Sequence, residues 1–311
     1  MIYILHHKYF LIDDIKKYKK EIEFIEIPLK KNKNIILRII RKIHLNSNFK
    51  LKDIWLDKNN IKDIKKITDK DVVIFFDTLN SAYLDLKTKY FPKTKSIFWL
   101  WNKIEKRGIK QLEVIKKNTK SIWTFDKKDS STYGILYTTQ FYWRESFNIG
   151  FNEEIDIFFI GQDKNRISKI DKIATIEGLN NEIYIIREKE KIYSKKYEKY
   201  LRENTLSYEE VITKIKKSKC LLEINLEGQE GITLRTLEAL FFNKKLITNN
   251  IKIKEYDFYN ENNIYVINDK NISNETLIEI KTFLKLKKQK INDEILKKYT
   301  FEFWLKKVLN N

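Results

Sequence analysis

Glycine, proline, cysteine and methionine are all scarce in this 311-residue chain, at seven, two, one and one. A single cysteine, Cys220, excludes a disulfide framework and fits a reducing compartment. Three histidines, with no His, Cys and Asp cluster at ligand spacing, argue against a metal centre. No uninterrupted apolar run approaches the roughly 18 residues of a spanning helix. The opening MIYILHHKYF turns polar too soon for a secretory signal and reads as a first β-strand, so a cytoplasmic protein is expected. What is abundant points to a folded globule: 42% of the residues are hydrophobic and 14% aromatic.

Acids are the minority charge, 43 Asp and Glu against 62 Lys and Arg, which leaves a net +19. Lysine, isoleucine and asparagine are all frequent, as an AT-rich coding sequence would produce, so part of the bias carries no function. The excess still makes a positive field that suits nucleic acid, an anionic membrane surface or a phosphate-bearing small molecule. Zinc-finger spacing and RNP-like aromatic patterning are both missing, so nucleic acid is not the expected partner.

Short apolar runs alternate with amphipathic stretches along the chain. Strands are predicted at 2–5, 22–27, 72–76, 96–99, 121–125, 155–160, 182–186, 220–226, 245–248 and 264–267. Helices are predicted at 61–67, 104–115, 167–176, 208–217, 233–242 and 274–286, with an amphipathic FEFWLKKVL at the end. This alternation predicts an α/β fold with parallel sheets covered on both faces. The polar segment SFNIGFNEE, with Gly150, precedes IDIFFIG, which looks like a fresh first strand and a glycine turn. A boundary there gives domains of 1–150 and 151–311.

Two of the seven glycines, Gly228 and Gly231, fall in the junction EGQEGITLRTLEALFFNKKLIT, between an apolar strand and a helix. Glycine allows positive φ and close approach of a ligand to the backbone. The helix that follows offers unpaired N–H groups and a partial positive charge to an anion. Arg235 and Glu238, three apart on that helix, suit phosphate oxygens and ribose hydroxyls respectively. The other reading is a tight turn followed by a surface ion pair, and the motif alone does not choose between them.

The wider order does discriminate. The helix SYEEVITKIKKS, the strand CLLEINL, the glutamate–glycine loop, Glu230 and Glu238 at E-x7-E spacing, and then ALFFNKKLITNN resemble the nucleotide-sugar-binding domain of GT-B glycosyltransferases. More narrowly, GITLRTLEALFFNKKLITNN followed by YDFYNENNIYVI is similar to bacterial lipopolysaccharide and capsule transferases, and IDIFFIGQDKNR resembles the start of the same domain. The resemblance spans about residues 121–268. Thr233 stands where many such enzymes have glycine, and Asn243 where glycine usually precedes the next strand; asparagine tolerates the left-handed conformation required there.

The resemblance implies two Rossmann-like domains with parallel sheets facing a central cleft, an N-terminal acceptor domain and a C-terminal donor domain. It implies a hexosyltransferase-type enzyme, of retaining stereochemistry, that moves a sugar from a nucleotide-sugar to a cell-surface glycan or glycolipid. No metal or other cofactor is expected. Glu238 would bind the ribose, and Glu230 and Gly231 would face the sugar or its phosphates. Thr233 and Arg235, with Lys164 and Arg166 after Gly161, would contact the diphosphate. On the acceptor side Asp77 and Asp126, each at a strand end, are candidate bases beside Glu230. Aspartates there also cap turns and helices, and that reading stands beside the first. Trp101 and Asn102 are candidate acceptor contacts, although tryptophans also build cores. The basic surface would place the enzyme at the inner membrane face. A non-catalytic Rossmann-like protein that binds nucleic acid or nucleotide is the competing class.

Overall fold

The computed structural model describes residues 1–7, 11–47, 49–57, 59–144, 152–188 and 191–310. Gly150 and the expected boundary beside it lie outside the described residues. The chain forms two compact units, Met1–Thr139 with Leu305–Asn311, and Gln140–Trp304.

The first unit holds strands β1 (Ile2–His6), β2 (Glu23–Glu26), β3 (Val72–Phe76), β4 (Lys95–Leu100), β5 (Ile122–Thr124) and β6 (Leu136–Tyr137). Its helices are α1 (Ile12–Tyr18), α2 (Ile35–Leu45), α3 (Ile61–Ile64), α4 (Ala82–Tyr90), α5 (Ile109–Lys116) and α6 (Lys127–Tyr133). All strand pairs are parallel, in the order β2-β1-β3-β4-β5-β6. A parallel sheet is covered on both faces, which is why VVIFF and SIFWL read as continuous apolar runs. Phe75 packs at 4.5 Å from Phe98 and 5.4 Å from Tyr83, centroid to centroid, at the middle of this core.

The second unit holds β7 (Ile155–Gln162), β8 (Asn181–Ile186), β9 (Leu201–Arg202), β10 (Ser218–Glu223), β11 (Lys245–Thr248) and β12 (Ile264–Val266). Its helices are α7 (Ile167–Ala174), α8 (Tyr208–Lys217), α9 (Leu234–Phe241), α10 (Asn274–Lys285), α11 (Asp293–Lys297) and the first part of α12 (Phe301–Leu309). The sheet is again parallel, ordered β12-β11-β10-β7-β8-β9. The expected α/β class with parallel sheets is therefore observed.

Several boundaries differ from the sequence expectation. Gly161 does not form a turn: it lies within β7, paired with Ile185, and the turn is made by Lys164 and Asn165, with φ of 43° and 64°. β10 ends at Glu223, not Leu226, and the helix expected from Ile104 begins at Ile109, after a 3-10 turn in which the Gly108 N–H donates to the Glu105 carbonyl.

Asn243 behaves as expected, with φ of 49° after α9. Its N–H donates to the Leu240 carbonyl at 3.2 Å and that of Lys244 to the Ala239 carbonyl at 2.7 Å, which closes the helix end in a Schellman motif. A β-branched side chain does not tolerate that φ. Asn243→Val is expected to lower stability by about 1–2 kcal/mol, read from the urea midpoint, while Asn243→Gly is expected to leave it equal or higher.

Candidate functional site

In the second sheet the chain leaves β7 toward β8 on one side and returns to β10 on the other. The strand order reverses between β7 and β10, and in open α/β sheets ligands bind outside the carboxyl ends at such a switch point. The loops that follow these two strands carry Lys164, Arg166, Gly231 and Thr233, and Arg235 and Glu238 lie on α9, which follows the second loop.

The loop after β7 is held by Asp163, which is fully buried. Its carboxylate accepts from the backbone N–H of Arg166 at 2.9 Å and of Ile167 at 2.8 Å, and pairs with Lys191 Nζ at 2.5 Å. Arg166 reaches across to the other loop. Its guanidinium donates to the carbonyls of Asp163 at 3.1 Å and Gln162 at 2.7 Å, and to that of Ile224 beyond β10. Burial holds its pKa below the ordinary arginine value. Lys164 is exposed, and its backbone N–H donates to Glu188 at 2.7 Å.

The loop after β10 turns at Gly228, whose φ is 74°; Gly231 keeps an ordinary φ, so only one of the two glycines is required by backbone conformation. Thr233 is the N-cap of α9, and its hydroxyl accepts from Arg235 N at 3.0 Å. The same hydroxyl donates to Glu223, the last residue of β10. Glu223 also accepts from Thr236 at 2.8 Å and Thr248 at 2.6 Å, so one buried carboxylate binds β10, α9 and β11 together at the sheet edge. After β11, Asn249 exchanges hydrogen bonds with the Asn225 backbone at 2.7 and 3.2 Å, and Asn250 Nδ2 donates to the Glu230 carbonyl at 3.1 Å. Glu223, Asp163, Lys191, Asn249 and Asn250 were not anticipated from sequence. The one available signal was an acid inside the apolar run CLLEINL.

Arg235 lies over the Phe158 ring at 5.6 Å and donates to the Ile160 carbonyl at 3.4 Å, which places it at the end of β7. Its Nη1 stands 2.6 Å from Glu238 Oε2. Glu238 is only 1% exposed, turned inward against Arg235 and Tyr208 and not out to solvent. Burial pushes its carboxyl pKa up, against the pull of Arg235, the Tyr208 hydroxyl and Arg144. Arg144 is itself paired with Glu209 at 2.8 Å.

The first sheet also has a switch point, between β1 and β3. Asp77 stands there with φ of 50°, outside the range most side chains adopt. Its carboxylate accepts from the backbone N–H of Trp101 and Asn102, each at 3.0 Å, and from Asn102 Nδ2 at 2.6 Å. Burial raises its pKa, while Asn102, His7 and Trp101 lower it. Asp77 and Asn102 are thus brought together. Trp101 is 4% exposed and packs on Phe76, in the core. Asp126 is 0% exposed and caps α6, accepting from Lys128 N and Asp129 N at 3.0 Å each. His6 is buried, and burial lowers its pKa. Among the described residues no group of His, Cys, Asp and Glu is arranged to hold a metal ion.

No protein-family model matches the chain, and no curated protein does. Solved structures do. TarM aligns with 82% of this chain at 14% identity and a TM-score of 0.54, and the chain spans 58% of TarM's length. The N-terminal domain of trehalose-6-phosphate phosphatase from Candida albicans aligns with 99% of this chain and 96% of its own, at 11% identity and a TM-score of 0.53. The fold is GT-B-like. At such identities the likeness extends to the two Rossmann-like sheets and not to any activity. A glycotransferase of kitacinnamycin aligns at a TM-score of 0.47, too low to argue from.

Proposed function

We propose that the protein is a glycosyltransferase that takes its nucleotide-sugar donor at the β7–β10 switch point of the second unit. One observation carries this reading: the α9 N-terminus, Arg166 and Arg235 converge on the carboxyl edge where the strand order reverses. Transfer breaks the bond from the anomeric carbon to phosphate oxygen and forms one to an acceptor oxygen. The bond electrons leave with the nucleoside diphosphate, and the acceptor hydroxyl loses its proton. Stabilising the departing diphosphate is the main electrostatic task, and helix N–H groups with arginines perform it without a metal ion. In this reading Arg235, Lys164 and the remaining N–H groups of Arg166 face the diphosphate, Thr233 and Gly231 shape the loop, and Glu230 faces the sugar. Glu238 reaches a ribose only if the ligand opens its pair with Arg235. In the first unit Asp77, with Asn102, is the candidate base. The acceptor is a glycan or glycolipid of lipopolysaccharide or capsule, the donor a hexose with retained configuration, and the place of work an anionic membrane face.

Titration with UDP, GDP and CMP tests the donor site. At least one is expected to raise the thermal midpoint progressively with concentration, because a ligand bound to the folded state stabilises it by mass action; 100-fold saturation corresponds to about 2.7 kcal/mol. A flat response to all three, with salt-dependent binding to random DNA, would instead identify a nucleic-acid-binding protein.

A further inference from the structure

The helix α2, IILRIIRKIHL, exposes what a helix ordinarily hides. Ile35, Ile36, Ile39, Ile40 and Ile43 are 48–68% exposed, and only Leu45 of the helix is buried. Phe49 and Leu51, just beyond it, are 76% and 67% exposed. Ile40, Ile43, His44 and Phe49 line an open apolar trough of about 380 Å³. The helix is nevertheless well held. Asn34 caps its start at 2.8 Å from Ile36 N, and His44 near its end accepts from Trp55 Nε1 at 2.9 Å and donates to the Lys50 carbonyl at 2.9 Å. A rigid helix with its apolar face turned to solvent requires a cover.

Charge decides which cover. Residues 28–51 contain seven lysines and arginines and no acid. Lys30, Lys31, Lys33, Arg38, Lys42 and Lys50 are all exposed. A second copy of this chain would bring these like charges together across the apolar contact, which disfavours self-association. An anionic bilayer meets both demands: isoleucines enter below the headgroups while long cationic side chains reach the phosphates at the rim. The terminal helix FEFWLKKVL, the other amphipathic candidate, does not qualify, because Phe301, Trp304 and Val308 are at most 1% exposed. Among the described residues no helix is long and apolar enough to cross a membrane, so the mode is interfacial.

We propose that α2 lies in the interface of an anionic lipid bilayer and is the element that seats this protein on a membrane. The inference gives an element to the membrane partner proposed above, rests on α2 alone, and does not depend on the donor site. Flotation of the full chain with vesicles of phosphatidylcholine, with and without phosphatidylglycerol, tests it. The protein is expected to float with the anionic vesicles and to retain part of that binding in high salt, because inserted apolar side chains are not screened. The double variant Ile39→Asn, Ile43→Asn changes exposed positions only, and is expected to lower partition by about tenfold or more with the thermal midpoint and its nucleotide shift unchanged. Arg38→Gln with Lys42→Gln is expected to lower binding and flatten its salt dependence. Ile40→Cys carrying a polarity-sensitive fluorophore is expected to shift blue on anionic vesicles; Cys220 is buried and stays unlabelled. Equal partition of the isoleucine variant and the parent overturns the proposal, as does complete release by salt. So does a parent dimer that the isoleucine variant dissolves without any vesicle binding. Loss of the nucleotide shift with flotation intact would count against the donor reading and not against this one.

Discussion

Glu223→Leu is expected to destabilise the protein by about 3 kcal/mol or more and to abolish measurable nucleotide binding. The carboxylate accepts from the hydroxyls of Thr233, Thr236 and Thr248. Thr236 and Thr248 are both 0% exposed, so water cannot replace the lost acceptor. A buried hydroxyl left without a partner costs about 1–3 kcal/mol, and more than one is stranded at once. The effect on ligand binding follows from position. Thr233 is the N-cap of α9, and its bond to Glu223 fixes where the helix N-terminus points relative to β10. Glu223→Gln separates the two consequences. It keeps the size and one acceptor oxygen, and the Thr248 hydroxyl can rotate to accept from the new amide. A loss near 1 kcal/mol, with nucleotide affinity reduced less than in Glu223→Leu, is the expected outcome. Urea unfolding and nucleotide titration on both variants check it. A Glu223→Leu protein as stable as the parent would mean that the threonine hydroxyls are satisfied elsewhere.

The ease of reading β10 and the difficulty of reading Glu223 have one origin. Strands buried on both faces appear as continuous runs of Ile, Val, Leu and Phe, so Val72–Phe76 and Lys245–Thr248 could be placed to the residue. β6 and β9 are two residues long and carry no periodicity. Helices α1, α4 and α6, seven to nine residues each, lack a clear apolar stripe and went unmarked. α2 also went unmarked although it has a strong stripe, and a stripe says only that a face is apolar; its exposure depends on what else packs there. The site divides in the same way. E-x7-E spacing and the glycines locate the loop because those are local features. The partners of Glu223 lie 10 to 25 residues away in sequence, and the inward turn of Glu238 depends on Arg144 and Tyr208 from other elements. Local pattern locates the backbone of the site, whereas its electrostatics come from tertiary contacts.

The pair Arg235–Glu238 shows what that difference means for experiment. Arg235→Ala is expected to weaken nucleoside diphosphate binding by about tenfold or more, the worth of a charged hydrogen bond of about 1.5–3 kcal/mol. Free nucleoside, which lacks the phosphates, should be nearly indifferent. The same change also leaves Glu238 buried without its closest countercharge. Removing one partner of a buried pair costs about 3–5 kcal/mol; because 14% of the Arg235 side chain is exposed, the lower end applies. The pH dependence identifies the cause. Burial already raises the Glu238 pKa in the folded protein, and loss of Arg235 raises it further. The folded state then holds the proton more tightly than the unfolded chain. The contribution of Glu238 to stability is therefore fully present below the ordinary carboxylate range and is lost as pH rises from that range through the raised folded pKa, over a wider interval in Arg235→Ala than in the parent. Arg235→Leu combined with Glu238→Leu removes both charges and should recover most of the stability without restoring diphosphate affinity. Recovery of both together would show that Arg235 acts only through the fold. Stability recovered while diphosphate affinity stays lost is the result that assigns the arginine to the phosphates.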